Sequence, residues 1–220
     1  MTAAAQRVLL VGASGRLGRH VLAELLRRGH DVLSFVRDPA AIRAEHPAAA
    51  VVAGDAFAVE AVVAALLGRT VLVSSVALRD EQQRDRSPVA LTRALAAAAE
   101  QAGVRWISLG GAGSLLLDDG TDFVDSPDFP AVAAAESRGF RAALHELRDH
   151  APAELAWTVV SPPAVIVPDG PRTGRYRVAD DLLVVDGEGR STISAADLAV
   201  AVADEVESAA HLRRRFAVGY

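Results

Sequence analysis

Three glycines at three-residue spacing separate a short apolar run from an amphipathic run near the start of the sequence. Residues 8–11 are the Val- and Leu-rich run that a strand covered on both faces requires, and Gly12, Gly15 and Gly18 follow it. In a dinucleotide-binding unit, such glycines permit a tight turn, close approach of the backbone to a pyrophosphate and close helix–sheet packing. The helix N-terminus then offers free N–H groups to the phosphates. We therefore predict a dinucleotide-binding βαβ unit here, in preference to a purely structural strand–turn–helix.

Strand patterns and amphipathic helix patterns alternate along most of the chain. The pattern predicts strands at residues 31–36, 50–53, 70–75, 104–109 and 155–161, and helices at residues 57–67, 88–102 and 130–150. This alternation is typical of α/β proteins with helices on both faces of a parallel sheet. We predict a single domain, residues 1–220, with a Rossmann-like doubly wound parallel sheet.

The pattern changes after the sixth predicted strand. Short pieces at residues 174–178, 182–185 and 191–193 are separated by turn residues, which favours antiparallel pairing. Residues 194–197 form a capping box before a predicted helix, and residues 215–219 form a last strand. We predict that residues 164–220 contribute a small substrate-side cap and the last helix to the domain.

Composition excludes several classes of function. The 220 residues are 51% hydrophobic with a net charge of −5, which suits one compact domain and argues against nucleic acid or an anionic membrane as partner. The absence of cysteine excludes disulfides and thiolate catalysis, and all 23 basic residues are arginine. Neither a signal sequence nor a long apolar run is present, so we expect a cytoplasmic protein, either a monomer or a homodimer.

The end of the second predicted strand bears on cofactor choice. In dinucleotide-binding folds this position carries an acid that binds the ribose 2′-hydroxyl of NAD, or an arginine that accommodates the 2′-phosphate of NADP. Arg37 stands there, which favours NADP(H), while the adjacent Asp38 keeps NAD(H) possible and a plain surface arginine is the alternative. Asp55, after the third predicted strand, is able to accept a hydrogen bond from adenine or to cap the next helix.

Polar segments supply the remaining candidates. Residues 79–87 have no apolar period and are predicted to form a loop. The glycine-rich residues 110–114 form either a loop whose backbone a ligand is able to approach closely or a plain turn. Residues 118–128 carry five aspartates whose spacing fits no EF-hand, so we predict a solvated acidic loop near the active-site mouth and no metal site. His145 and His150 lie near the end of a predicted helix, where a positive charge interacts favourably with the helix dipole. We therefore prefer this explanation to a catalytic role for either histidine.

With these residues in view, nearly the whole chain resembles the atypical short-chain dehydrogenases of the NADH-flavin reductase group, close to the NmrA-like and biliverdin/flavin reductase branch. The motifs that carry the resemblance are Gly12-Ala-Ser-Gly-x-x-Gly18, Gly29-His-Asp-Val, Val36-Arg37, Gly54-Asp55, Gly110-Gly-Ala-Gly-Ser114, Asp125-Ser-Pro-Asp-Phe-Pro130, Trp157-Thr-Val-Val-Ser-Pro-Pro163, Arg172-Thr-Gly-Arg-Tyr-Arg177, Arg190-Ser-Thr-Ile-Ser194 and Arg215-Phe-Ala-Val-Gly-Tyr220. The C-terminal motifs are the specific part, because many families share the glycine turn.

The resemblance implies a Rossmann-like fold that binds NAD(P)H. The cofactor-binding residues expected on this basis are Gly12, Ala13, Ser14, Gly15, Arg16, Leu17, Gly18, Arg37, Asp55, Ala56, Ser74, Ser75, Val76 and Pro162. Those expected on the acceptor side are Gly111, Gly113 and Ser114, the last at the place of the catalytic serine of short-chain dehydrogenases. A flavin is expected as a substrate, not as a tightly bound group.

One departure from the larger superfamily is informative. The Tyr-x-x-x-Lys acid/base pair of short-chain dehydrogenases cannot exist, since the chain has no lysine and only Tyr176 and Tyr220 as tyrosines. Ala164 stands where the biliverdin/flavin reductase branch has a histidine. Hydride transfer to a flavin or similar conjugated small-molecule acceptor needs no such pair, so an NAD(P)H-dependent reductase is the leading hypothesis, with no catalytic residue assigned. A non-catalytic NAD(P) sensor of NmrA type, or an epimerase or dehydratase-like enzyme using Glu136 or Arg138, are the alternatives.

Overall fold

A computed structural model describes residues 4–78 and 86–220 of the chain, so residues 79–85 of the predicted polar loop lie outside the described residues. The strands are β1 Arg7–Val11, β2 Asp31–Val36, β3 Ala50–Ala53, β4 Val71–Ser74, β5 Arg105–Leu109, β6 Trp157–Ser161, β7 Val165–Val167, β8 Arg177–Ala179, β9 Thr192–Ser194 and β10 Arg214–Gly219. The helices are α1 Gly18–Arg27, α2 Ala40–Glu45, α3 Val59–Ala65, α4 Pro88–Ala102, α5 Ala131–His150 and α6 Ala195–Ser208, with a 3₁₀ turn at Phe123–Asp125.

Eight strands form one sheet in the order β3-β2-β1-β4-β5-β6-β10-β8. All pairs are parallel except β10 with β8, and helices cover both faces, so the predicted Rossmann-like α/β fold is confirmed. The strand order reverses between β1 and β4, where Val11 lies beside Ser74. In open α/β sheets, ligands bind outside the carboxyl ends of the strands at such a reversal.

Two apolar layers hold the helices to the sheet. One face packs on α1, α2 and α6 through side chains such as Leu22, Ile42 and Val202, and the other packs on α3, α4 and α5. Successive strand residues point to opposite faces of the sheet. In the fully buried run Val8, Leu9 and Leu10, the side chains therefore pack alternately into one apolar layer and the other. This double coverage explains why the strands are apolar throughout instead of alternating.

The C-terminal segment differs in part from its prediction. Antiparallel pairing holds for β8 with β10, but β9 pairs with β7 in a parallel two-stranded sheet. Residues 182–185 contribute a single bridge, between Leu182 and Leu116. The last strand enters the main sheet next to β6 because Phe216 and Val218 are apolar enough to be fully buried there. β7 and β9 are therefore the strands of this segment that stay outside the main sheet, and the substrate-side cap stays a prediction.

The start of α6 follows its sequence signal. The Ser194 hydroxyl accepts a hydrogen bond from the Asp197 amide at 2.9 Å, as in the predicted capping box. The Asp197 carboxylate instead receives hydrogen bonds from Thr173, Gly174 and Tyr220, which hold the loop before β8 against the helix. Among residues 4–78 and 86–220, no helix combines the length and apolar character needed to cross a membrane.

An ion-pair network around Glu24 joins α1 to α6. The Glu24 side chain is 4% exposed and accepts hydrogen bonds from Arg27 at the end of α1, from Arg28 directly after the helix, and from Arg172. Arg28 also reaches Asp204 of α6 at 2.7 Å and Glu207 at 3.0 Å. The helix that follows the glycine turn is thus fixed by charge as well as by apolar packing.

Candidate functional site

The glycine turn brings three elements closer than any side chain would allow. A Cβ atom on Gly12 would lie 2.4 Å from the carbonyl oxygen of Ser75, directly after β4, and Gly12 has a φ of +86°. A Cβ atom on Gly18 would lie 2.0 Å from the Gly12 carbonyl oxygen. Contacts under 3 Å to backbone atoms cannot be relieved by side-chain rotation. The glycines therefore set the distances between β1, β4 and α1.

The same turn leaves hydrogen-bond donors at the start of α1. Within the described part of the chain, the amides of Arg16 and Leu17 make no hydrogen bond, whereas the Gly15 amide donates to Gly12 at 3.0 Å. Free N–H groups and the positive end of the helix dipole favour an anion at this point. This glycine-lined cradle has the donors and the space that a pyrophosphate requires, so the residues fit a dinucleotide.

A first cavity of about 500 Å³ lies on one side of the cradle. Its lining includes Gly12, Ser14 and Gly15, the ends of β2 and β3 with Arg37 and Asp55, and also Ala56, Phe57 and Arg86. The predicted cofactor residues from both strand ends therefore meet here. The Arg37 side chain is exposed at the cavity edge, next to the Asp55 carboxylate whose pKa it helps to lower.

An arginine that the sequence did not single out pairs with Asp55. Arg86 binds both carboxylate oxygens, at 2.6 and 2.8 Å, and its guanidinium carbon lies 4.3 Å from the centre of the Phe57 ring. Hydrogen bonds from Arg86 are the main cause that holds the pKa of Asp55 below its usual range. Asp55 also accepts from the Phe57 amide at 3.1 Å, but α3 begins later, at Val59, so the carboxylate caps a turn and not the helix.

A second cavity of about 710 Å³ lies on the other side of the cradle. The two cavities share a wall formed by Gly15, Ser75, Val76 and Ala77. The second cavity is largely apolar, and the side chains that give it this character are Leu17, Leu109, Phe123, Phe129, Pro130, Phe140, Pro162, Pro163, Ile166 and Pro168. Arg16 and Gly111 also line it. The predicted residues Leu17, Pro162 and Gly111 are thus brought together across the carboxyl ends of β1, β5 and β6.

Three phenylalanines from two segments shape this cavity. Phe123 and Phe129 meet edge to face with ring centres 4.9 Å apart, and Phe140 projects from α5. Phe123 lies within the acidic segment and Phe129 directly follows it, and the sequence analysis assigned no role to either because aspartates dominate the pattern there. Asp128, at the end of the acidic segment, lines the cavity, which supports the predicted location of that segment near the site mouth.

Five predicted site residues lie away from both cavities: Ala13, Gly18, Ser74, Gly113 and Ser114. Strand alternation turns Ser74 to the opposite side from Ser75, where its hydroxyl accepts from the Trp106 indole at 3.0 Å. Ala13 is fully buried in the core beneath α1. A Cβ atom on Gly113 would meet Ser137 at 2.7 Å, and the buried Ser114 contacts Arg215, which pairs with Asp181. The acceptor-side prediction is therefore corrected for Gly113 and Ser114, because the loop turns inward after Ala112.

The hydroxyl groups of both tyrosines form hydrogen bonds outside the two cavities. The Tyr176 hydroxyl donates to Asp204, and burial together with this hydrogen bond raises the pKa of Tyr176. The Tyr220 hydroxyl donates to Asp197 at 2.6 Å. His145 is exposed on α5 and His150 lies beside Glu146, so neither histidine lines a cavity in the described part of the chain. Among the lining residues that the structure describes, the carboxylates in the second cavity are those of Asp128 and Glu136.

Solved structures with similar folds cover almost the whole chain. A "putative exported protein" from Burkholderia pseudomallei is 34% identical with a TM-score of 0.85, over 98% of this chain and all of that one. A "putative epimerase" from Bacteroides thetaiotaomicron is 31% identical with a TM-score of 0.88, over 99% and 98% of the two chains. A "putative NADH-flavin reductase" from Streptococcus pneumoniae is 28% identical with a TM-score of 0.84, over 97% and 99%.

The sequence profile of a family described as NAD(P)H-binding matches residues 12–209. The match begins at the first glycine of the cradle and extends through α6, so it includes the second cavity, the wall that the two cavities share, and all of the described lining of the first cavity except Val11. By this match, and in agreement with the geometry of the cradle, the chain belongs to the NAD(P)H-binding family.

Proposed function

We propose that this protein is an NAD(P)H-dependent oxidoreductase that transfers hydride to a flavin or a similar conjugated acceptor. The observation that carries the proposal is the second cavity, whose aromatic and proline walls adjoin the dinucleotide cradle through Ser75, Val76 and Ala77. A flat apolar ring system suits such walls, since aromatic rings favour stacked and edge-to-face contacts. The Streptococcus pneumoniae structure, by its name an NADH-flavin reductase, supports the same assignment.

The residues of the cradle would hold the cofactor across the two cavities. Free amides at Arg16 and Leu17 would bind the pyrophosphate, and Arg37 at the edge of the first cavity would bind a 2′-phosphate, which favours NADP(H) over NAD(H). When bound, the reduced nicotinamide supplies a hydride, that is, two electrons and one proton. Pro162 and Pro163 in the facing wall would exclude water from that ring.

Hydride transfer to a conjugated ring needs one further proton, which water at the cavity mouth is able to supply. The protein's task is then to hold two rings in contact, which is a matter of positioning and not of acid/base catalysis. A mechanism without an acid/base pair agrees with the hydrogen bonds that Tyr176 and Tyr220 form outside the cavities, and with the absence of lysine from the sequence. The epimerase alternative, which the name of the Bacteroides thetaiotaomicron structure favours, needs a proton donor and acceptor beside the cofactor.

Titration calorimetry with NADPH, NADH, NADP⁺ and NAD⁺, followed by NADPH oxidation with FMN, FAD and riboflavin, tests the proposal in one preparation. We expect tight binding of the reduced cofactor and flavin-dependent oxidation. Binding without oxidation by any flavin, quinone or dye would contradict the reductase and support the non-catalytic sensor. Size-exclusion chromatography would decide between the monomer and the homodimer, and cell fractionation would test the predicted cytoplasmic location.

Arg37→Ala should lower the preference for NADPH over NADH. Removing the guanidinium leaves a bound 2′-phosphate without its ion-pair partner, so we expect the NADPH dissociation constant to rise about tenfold while that of NADH changes less than about twofold. Arg43→Ala, which removes an exposed arginine from α2, is the matched control and should change neither constant. Equal loss for both cofactors would place Arg37 outside the 2′-phosphate contact.

A further inference from the structure

We propose that Arg86 sets the preference for NADPH over NADH by binding the Asp55 carboxylate, which leaves the Arg37 guanidinium available to a 2′-phosphate. The inference rests on the proposed function, because it concerns the same cofactor and assigns a positioning role beside it. Its basis is the arrangement of charge in the first cavity. Among the described lining residues of that cavity, the charged ones are Arg37, Asp55 and Arg86, two arginines around one carboxylate.

Arg37 and Asp55 lie close together because the strands that precede them are paired. Val36 at the end of β2 is in register with Ala53 at the end of β3. Both charged residues therefore follow the sheet at its carboxyl edge, and both line the first cavity. Hydrogen bonds from Arg86 are the main cause of the lowered pKa of Asp55, and the positive charge of Arg37 contributes to it. Arg37 is thus near enough to be attracted by the carboxylate.

Arg86 binds both oxygens of that carboxylate. Its two terminal nitrogens lie 2.8 and 2.6 Å from the Asp55 oxygens, in the two-pronged geometry that makes arginine–carboxylate pairs strong. With the residues at positions 4–78 and 86–220, the exposed side chain of Arg37 forms neither a hydrogen bond nor an ion pair. The negative charge of the cavity is therefore matched by Arg86, and the charge of Arg37 remains for an anion.

Both members of the pair are held in place by the local structure around them. Asp55 accepts a hydrogen bond from the Phe57 amide at 3.1 Å, in the turn before α3. Arg86 directly precedes Ser87, whose hydroxyl caps α4 by accepting from the Ala90 amide at 3.1 Å. The Arg86 guanidinium also stacks over the Phe57 ring at 4.3 Å, which is a cation–π contact. The pair therefore joins the turn before α3 to the start of α4.

Loss of Arg86 would leave the Asp55 carboxylate unpaired beside the expected 2′-phosphate position. The carboxylate would repel the phosphate, which carries between one and two negative charges near neutral pH, and would compete with it for Arg37. NADH has a hydroxyl group at this position and would be subject to neither effect. The ratio of the NADH and NADPH dissociation constants therefore isolates the effect, since any change in adenine binding alters both constants alike.

Titration calorimetry of Arg86→Ala with NADPH and NADH measures this ratio without turnover. We expect the preference for NADPH to fall about five- to tenfold, and to fall less at high salt, because the Asp55 side chain is 43% exposed and is screened. Arg86→Lys keeps a positive charge near Asp55 and should recover part of the preference. An unchanged ratio in Arg86→Ala, or a wild-type protein that binds both cofactors equally, would overturn the inference.

Arg93→Ala is the matched control. Arg93 of α4 binds both carboxylate oxygens of Glu146 on α5, at 2.7 and 3.0 Å, so this variant also breaks a two-pronged ion pair. Neither residue lines the first cavity. We expect the ratio of the two dissociation constants to stay at its wild-type value, and an equal change in Arg93→Ala and Arg86→Ala would contradict a specific role for Arg86.

The Asp55→Asn/Arg86→Ala double variant separates this indirect role from a direct contact between Arg86 and the phosphate. With the carboxylate charge removed together with the arginine, no negative side chain of the pair is left to compete for Arg37. The preference for NADPH should therefore return to within about twofold of the wild-type value. A double variant with as little preference as Arg86→Ala would assign the phosphate contact to Arg86 itself and would contradict the inference.

Failure of the proposed function would be visible separately. Oxidation of NADPH with FMN, FAD and riboflavin tests hydride transfer, whereas the calorimetric ratio tests the role of Arg86. If the variants bind the cofactors as expected while no acceptor is reduced, the reductase proposal fails and the inference stands. If flavins are reduced while Arg86→Ala keeps the wild-type ratio, the reductase stands and the inference fails.

Discussion

Gly18→Ala is expected to weaken NADPH binding more than about a hundredfold. The new Cβ atom would lie 2.0 Å from the carbonyl oxygen of Gly12 and 2.9 Å from its carbon, so α1 must move away from β1. A displacement of about 1 Å in a positioning element is enough to cost two orders of magnitude in function. Calorimetric titration with NADPH measures the loss, and circular dichroism verifies that the variant is folded.

Gly187→Ala is the control for this substitution. A Cβ atom on Gly187 would meet nothing within 4 Å, and Gly187 has no positive φ, so this alanine should leave the dissociation constant unchanged. The comparison separates the effect of the clash from that of a methyl group added to a glycine. Binding of NADPH by the Gly18→Ala protein with wild-type affinity would refute the role of this contact in shaping the cradle.

Glu24→Gln is expected to lower the free energy of unfolding by about 3 to 5 kcal/mol at neutral pH. The carboxylate is 4% exposed and accepts hydrogen bonds from the largely buried Arg28 and from the more exposed Arg27 and Arg172, so its neutralisation removes the common partner of three guanidinium groups. Losing one member of a buried ion pair costs energy in this range. Urea denaturation gives the value. Glu45→Gln removes a half-exposed carboxylate 3.6 Å from Arg19 and should cost less than about 0.5 kcal/mol.

The effect of Glu24→Gln should also depend on pH. Burial alone raises the pKa of Glu24, but hydrogen bonds from Arg27, Arg172 and Arg28 outweigh it and hold the pKa well below its usual range. A carboxyl group whose pKa is depressed by folding stabilises the protein above its unfolded pKa, about 4.3, and this contribution is lost as pH falls toward the folded pKa. We expect the difference between wild type and variant to be constant from about pH 6 to 8 and to shrink below about pH 4. A difference independent of pH would contradict this account.

The backbone-level features of the fold were predictable from the sequence. Runs 31–36 and 50–53 have the bounds predicted. The apolar run of β2 is largely buried between helices on both faces, as its pattern indicates. β3 lies at the edge of the sheet and is mostly exposed, and its end was predictable from Gly54 that follows it. The glycine cradle was predictable for a similar reason, since the contacts at Gly12 and Gly18 exclude every other residue. The partner of the last strand was not, because a six-residue strand with only three apolar side chains carries no signal for the neighbour that it will join.

The residues of the site were predictable where the course of the backbone determines their position. They were less predictable where their role depends on the direction in which a side chain points. Ser74 and Ser75 look alike in sequence, yet strand alternation sends Ser74 to Trp106 and leaves Ser75 beside the cradle. Ser114 resembles a catalytic serine by its place after glycines, but the burial of Arg215 and its pairing with Asp181 form only in three dimensions. Arg86 directly follows residues 79–85, in a polar segment without apolar periodicity, so no sequence pattern indicated its contact with Asp55.

The ion pairs between α1 and α6 have a consequence for the order in which the molecule forms. Arg28 and Asp204 are separated by 176 positions, and Glu24 and Arg172 by 148. Closing loops of that length costs conformational entropy before any contact is gained, so such pairings form late and slow the folding of a chain. The helix that opens the nucleotide cradle is among the first elements synthesised, yet it acquires its partner only after α6 exists. Competence to bind nucleotide would therefore be a late event in folding, and its appearance during refolding would report that the two ends of the fold have joined.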